Sequence, residues 1–114
     1  MKKILNHLDR AEQIVRVVYP LANDPKVLLD ALKELEKIIP YILQIHPRLE
    51  RHDEKLLQEI QDLLEKHVTA PVEFSKDRKF VMCSPKYDLT KISASRVSEY
   101  VKQCKRLCHH ERNL

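Results

Sequence analysis

The chain of 114 residues contains no glycine, whereas average proteins use about 7% glycine. Glycine lets the backbone adopt a positive φ, or approach a ligand closely, at little energetic cost. Phosphate-binding P-loops, GxGxxG dinucleotide turns, GxSxG nucleophile elbows and EF-hand loops all depend on it. The sequence therefore excludes these sites and favours helices joined by turns of other residues.

Apolar side chains recur at helical spacing in four segments, which predicts helices over about residues 2–19, 25–45, 53–68 and 93–110. Asp24 and Pro25 are typical of a helix start, because an aspartate oxygen caps exposed N–H groups and proline has no N–H to lose. Pro20 is expected to end the first helix. Pro40 lies inside the second segment and predicts a kink there, or a division into two shorter helices.

Residues 70–90 differ from the rest, because they hold short β-prone runs at 72–74 and 79–83. We predict an extended insert over about 70–90, with a small hairpin whose glycine-free turn is a longer type I form. Helices with broad apolar stripes must pack together. The predicted fold is therefore all-α, a single domain over 1–114: a four-helix bundle with a short extended or hairpin segment before the last helix.

Charge is distributed unevenly along the chain, although the total is only +4. Residues 1–71 carry 11 basic and 12 acidic side chains, whereas residues 72–114 carry 10 basic and 5 acidic ones. A basic segment favours anionic partners such as RNA or DNA. The candidate nucleic-acid-binding residues are Lys76, Arg78, Lys79, Arg96, Lys102, Lys105 and Arg106.

Two other groups of residues could form a functional site, one for zinc and one for RNA cleavage, and each has a simpler explanation. Cys83, Cys104, Cys108 and His109 are weak candidates for a zinc site, since zinc prefers four S or N ligands; core packing explains the helical cysteines better. The pairs Arg48/His52 and Arg106/His110 invite comparison with helical ribonucleases of the HEPN class. Their spacing is shorter than in that class, and a solvated charged face is the simpler explanation. We expect no enzyme activity, no bound metal and no cofactor.

Location follows from what the sequence lacks. No run approaches the 18 or so apolar residues of a membrane-spanning helix, and the N-terminus has no apolar stretch typical of a signal peptide. Three cysteines, all in the last third, make a disulfide framework unexpected and favour a reducing compartment. The predicted location is cytoplasmic, without a membrane partner.

The leading functional prediction is a non-enzymatic interaction protein, as a homodimer or an adaptor for another protein. The second helix alone carries nine apolar residues on more than one face, and apolar surface left over from a core usually marks an interface. Nucleic-acid binding through the basic C-terminal third is the alternative. A helical ribonuclease is a third, weaker alternative.

Two segments, Tyr19–Leu29 (YPLANDPKVLL) and Ala70–Met82 (APVEFSKDRKFVM), resemble a group of small helical archaeal proteins of unknown function. In that group, similar segments join the first two helices and join a later helix to the last one. The stretch Tyr41–Asp53 is shorter here than in those proteins. The resemblance implies a helical core, an extended insert near residues 72–90 and an archaeal source, and it implies no activity or ligand.

Overall fold

The computed structural model describes residues 2–110, and the side chains of residues 3–109. The elements in chain order are α1 (Lys2–Gln13), a π-helical turn (Ile14–Val18), α2 (Tyr19–Ala22), α3 (Val27–Ile45), α4 (Arg51–Thr69), β1 (Val72–Lys76), β2 (Lys79–Cys83), β3 (Leu89–Ile92) and α5 (Ala94–His110). Helices account for 69% and strands for 13% of the structure. The all-α prediction is therefore wrong, and the fold is α+β.

The first helical stretch passes through Pro20 instead of ending there. The turn before it is π-helical, and the Tyr19 N–H bonds to the carbonyl of Ile14. Pro20 then opens α2, where the missing N–H costs little. Asn23 ends α2 in the left-handed region (φ 51°), and its N–H bonds to the Tyr19 carbonyl at 3.0 Å. Asparagine adopts this conformation more readily than most residues, so the cap needs no glycine.

Helix α3 is the centre of the helical layer and runs unbroken through the exposed Pro40. It packs against α1, α4 and α5, so its apolar residues are covered from several directions. Eight are buried: Leu28, Leu29, Ala31, Leu32, Leu35, Ile38, Ile39 and Ile42. The breadth of this apolar face therefore reflects a central position in the core. The number of apolar residues on α3 therefore does not by itself indicate an interface. Pro40 does not divide the helix.

Residues 72–92 form a three-stranded antiparallel sheet in the order β1-β2-β3. Val72 pairs with Cys83 and Lys76 with Lys79, while Cys83 also pairs with Leu89 and Phe80 with Ile92. The hairpin was predicted as an accessory to a bundle, and the third strand was missed. β3 has only four residues, too few to give a clear alternating signal, and it is defined by its pairing with β2.

The turn between β1 and β2 is a two-residue one, not the longer form that the absence of glycine predicts. Asp77 and Arg78 both have positive φ, at 52° and 64°, as a type I′ hairpin turn requires. The Tyr19 hydroxyl donates a hydrogen bond of 2.8 Å to the Arg78 carbonyl. This contact ties the hairpin tip to α2 and helps to hold arginine in an unfavourable backbone conformation.

Arg78→Gly is expected to stabilise the protein by up to about 1 kcal/mol. A left-handed residue other than glycine costs about 1–2 kcal/mol, and part of the gain is offset by the greater freedom of glycine in the unfolded chain. Urea unfolding measures the change. Lys86→Gly, at a loop position without positive φ, is the matched control and should bring no gain. Equal effects at both positions would contradict a strained turn.

The inner face of the sheet packs on the helices. Phe80, Met82 and Ile92 point to this side and join the main hydrophobic core. At its edge, the imidazole of His67 on α4 lies 2.6 Å from a carboxylate oxygen of Glu73 on β1. The helices therefore cover one side of the sheet and position its other side outward.

Candidate functional site

The opposite side of the sheet is exposed and mostly apolar. Side chains alternate between the faces of a strand, and directly paired residues lie on the same face. The register therefore groups eight side chains, here called the outer face: Val72, Phe74, Lys76, Lys79, Val81, Cys83, Leu89 and Lys91.

Both edge strands leave their apolar side chains in solvent. Val72 is 54% exposed, Phe74 40% and Leu89 56%. Val81 lies between Phe74 and Lys91 in the central strand and is only 2% exposed, although it is not part of the main core. Surface leucines and valines are common singly, but these lie on neighbouring strands. They form an exposed apolar surface around the buried Val81.

The outer face is polarised along the strand direction. One end is the row Val72, Cys83 and Leu89, and the other end is the pair Lys76 and Lys79. Between them lies the row Phe74, Val81 and Lys91. Alternate residues of a strand are about 7 Å apart, so the apolar end and the basic end are separated by about 13 Å.

The structure places the seven predicted nucleic-acid-binding residues on two elements, the β1–β2 hairpin and α5. Lys76, Arg78 and Lys79 lie together at the exposed hairpin tip. On α5, Lys105 forms an ion pair with Glu12 of α1, and Arg106 donates a 2.5 Å hydrogen bond to Asp53 of α4. The remaining two residues line different grooves beside α5, Arg96 with α4 and Lys102 with α1 and the π-helical turn. Lys105 and Arg106 are thus matched by carboxylates.

A groove of about 520 Å³ lies between α4 and α5. Asp53 is 4% exposed and accepts the hydrogen bond from Arg106. The Tyr100 hydroxyl donates to Glu59 at 2.9 Å, and burial, followed by this carboxylate, raises the pKa of Tyr100 to about 12. The groove is lined by equal numbers of cationic and anionic side chains: Lys55, Arg96, Arg106, Asp53, Glu59 and Glu99. These contacts join the two helices and give the groove no preference for either sign of charge.

The two arginine–histidine pairs compared with helical ribonucleases, Arg48/His52 and Arg106/His110, are arranged differently from the prediction. His52 and Arg106 meet at Asp53, whose Oδ1 atom is 3.5 Å from His52 Nε2. The imidazole Nδ1 atom of His52 is 3.4 Å from Glu50. The His110 side chain lies outside the described residues. The structure thus brings together one member of each predicted pair, with the guanidinium already engaged by a carboxylate.

Three of the four metal candidates lie on α5, and the fourth, Cys83, lies on β2. Cys83 is half-buried on the outer face, whereas Cys104 and Cys108 are buried on α5 in the helical core; His109 is exposed near the end of α5. Within residues 3–109, the set close enough to share a cation is instead Glu50, His52 and Asp53, with ligand atoms within 4.8 Å. Arg106 already supplies a positive charge to Asp53, and a metal ion would compete with it.

The outer face combines residues that the sequence pointed to with residues it did not. Lys76 and Lys79 were predicted for their charge, but Val72, Leu89 and Lys91 were missed as site residues. The four residues of β3 give no alternating apolar and polar pattern, so the sequence offered no clear signal for Leu89 and Lys91.

No helix in residues 2–110 is long and apolar enough to cross a membrane. The chain matches no protein-family model, no curated protein and no solved structure.

Proposed function

We propose that the protein is a non-enzymatic interaction protein, which binds a second polypeptide through the outer face of its sheet. The observation that supports this is the contiguous exposure of Val72, Phe74 and Leu89 on a face flanked by lysines. Protein interfaces centre on apolar and aromatic anchors surrounded by polar side chains. A cytoplasmic location and the absence of catalysis are part of the same proposal.

The first test is site-specific photo-crosslinking in the cells that produce the protein. A benzophenone amino acid is placed at Leu89 on the outer face, or at Leu21, an 81% exposed leucine of α2, as the matched control. We expect a discrete covalent adduct from position 89 and none of the same mass from position 21. The mass of the adduct distinguishes a second copy of the chain from another protein.

Phe74→Asp tests whether the adduct depends on this surface. An anchor residue at the centre of an interface contributes about 2 kcal/mol or more, which corresponds to about a 30-fold loss of affinity. We expect the adduct to fall to background while the protein stays folded, with a free energy of unfolding lower by about 1–2 kcal/mol, because Phe74 is 40% exposed on an edge strand and aspartate is a poor strand residue. An adduct that persists, or no adduct from Leu89, would contradict the proposal.

Accessibility of Cys83 gives an independent readout on the same face. Cys83 is half-buried, while Cys104 and Cys108 are buried in the helical core, so a maleimide should modify Cys83 first in the folded protein. Occupation of the outer face should slow this modification. Equal rates with and without the crosslinked partner would place the contact elsewhere.

A further inference from the structure

We propose that the partner is an acidic amphipathic helix of another protein, which lies along the strands of the outer face. This inference rests on the function proposed above and adds the chemistry of the partner. Its apolar side chains would cover Val72, Phe74 and Leu89. Its carboxylates would lie over Lys76 and Lys79.

The charges of the outer face favour an acidic helix as the partner. The outer face carries Lys76, Lys79 and Lys91 and has no carboxylate among its eight side chains. The nearest acidic residues in the sheet are Asp77 and Asp88 in the connecting turns, and Glu73, which points to the inner face and contacts His67. An acidic partner therefore meets three lysines without a competing carboxylate on the same surface.

The same charges disfavour a second copy of the chain. Two outer faces packed against each other would bring six lysines into one interface with no acidic side chain from either face. Like charges close together at an interface cost several kcal/mol. Single-stranded nucleic acid would satisfy the lysines, but it stacks its bases on aromatic side chains. Phe74 is the one aromatic residue of the outer face, and the remaining apolar surface is aliphatic or thiol.

The dimensions of the outer face also fit a helix. Three strands spaced about 4.8 Å apart give a surface about 10 Å wide, which matches the diameter of an α-helix with its side chains. The 13 Å between the apolar and the basic end corresponds to about two and a half helical turns. A fitting helix therefore carries apolar residues at one end of a face and acidic residues about seven to nine positions away.

The test is selection from a displayed library of 20-residue helical peptides with one randomised face. The targets are the wild-type protein, the Phe74→Asp variant and the double variant Lys76→Glu with Lys79→Glu. Lys3→Glu with Lys26→Glu, on α1 and before α3, is the matched control with the same change in net charge. We expect peptides selected on the wild type to pair apolar residues with a distal acidic cluster. They should bind the Lys76/Lys79 variant at least tenfold more weakly and the control variant equally well.

The outcomes separate the two proposals. Peptides that require Phe74 but show no acidic excess, or that ignore the reversal of Lys76 and Lys79, would overturn the acidic partner and leave the interaction surface. If no selected peptide depends on Phe74, both proposals fail. Concentration-dependent self-association that Phe74→Asp abolishes would identify a second copy as the occupant, which also overturns the acidic partner.

Fluorescence anisotropy with a labelled RNA and DNA pool completes the test. Binding at about 50 mM salt that weakens a hundredfold or more at about 200 mM salt implies release of several phosphate counterions. Such binding, lost in the Lys76/Lys79 variant, would make nucleic acid the occupant and would overturn the acidic partner. We expect no binding above background.

Discussion

Replacing Leu32 by alanine is expected to lower the free energy of unfolding by about 3–5 kcal/mol. Leu32 is completely buried in α3, the helix that packs against three other helices. Truncation removes three heavy atoms from the core and leaves a cavity, and such changes cost about 2–5 kcal/mol depending on how far the surroundings relax. A position enclosed by helices from several directions relaxes little, which places the effect in the upper part of that range.

Urea unfolding of Leu32→Ala and Leu21→Ala compares the same chemical change in two environments. Leu21 is among the most exposed apolar residues of the described part of the chain, so its truncation should change stability by about 0.5 kcal/mol or less. A small loss at Leu32 would mean that α3 is not the centre of the core. The excess of apolar residues on this helix would then again indicate an interface.

Alkaline pH is expected to destabilise the protein through Cys104. Burial, followed by the neighbouring Cys108 and Asp53, raises the pKa of the Cys104 thiol from 9.0 to about 12. Below pH 9 the thiol is protonated in both states and its contribution to stability is complete. As the pH rises from 9 to 12 the unfolded chain loses this proton first, so the free energy of unfolding falls. The total loss is about 4 kcal/mol, since one pKa unit corresponds to about 1.4 kcal/mol.

The measurement is urea unfolding at pH 8 and pH 11 in the presence of a reductant. We expect the wild type to lose about 2–3 kcal/mol between these pH values from this thiol. Tyr100, with its pKa raised to about 12, acts in the same direction above pH 10, and this contribution is common to the wild type and to both cysteine variants. Cys104→Val should remove most of the thiol's contribution, whereas Cys83→Val on the outer face should retain it. An equal alkaline loss in both variants would contradict the assignment to Cys104.

Several features of the fold could be predicted from the sequence, because they depend on residues close together along the chain. The spacing of Leu57, Ile60 and Leu64 predicts a helix over 53–68, and the structure has α4 over Arg51–Thr69. The β-prone runs at 72–74 and 79–83 lie within β1 and β2. Pro20 was misjudged, because a proline is tolerated in the first turn of a helix, where its missing N–H has no partner to lose. At Pro40 the predicted division into two helices is wrong, since α3 continues through it.

The candidate site was predictable only in part. Charge alone pointed to Lys76 and Lys79, but it also grouped them with Arg106, which bonds to an aspartate 53 residues earlier in the chain. Lys105 is likewise paired with Glu12 of the first helix. A list of basic residues shows net charge by segment, whereas the charge that a partner meets depends on which carboxylates the fold places beside each cation.

The sequence by itself determined the helical segments, the extended character of residues 72–83 and the exclusion of glycine-dependent sites, because these follow from local spacing and backbone conformation. The tertiary structure decided that α3 is enclosed, that Leu89–Ile92 completes a sheet and that the helices cover only one side of it. Those outcomes depend on contacts between residues far apart in the chain. The outer face is the result: strand alternation defines its side chains, and the packing of the opposite face leaves them exposed.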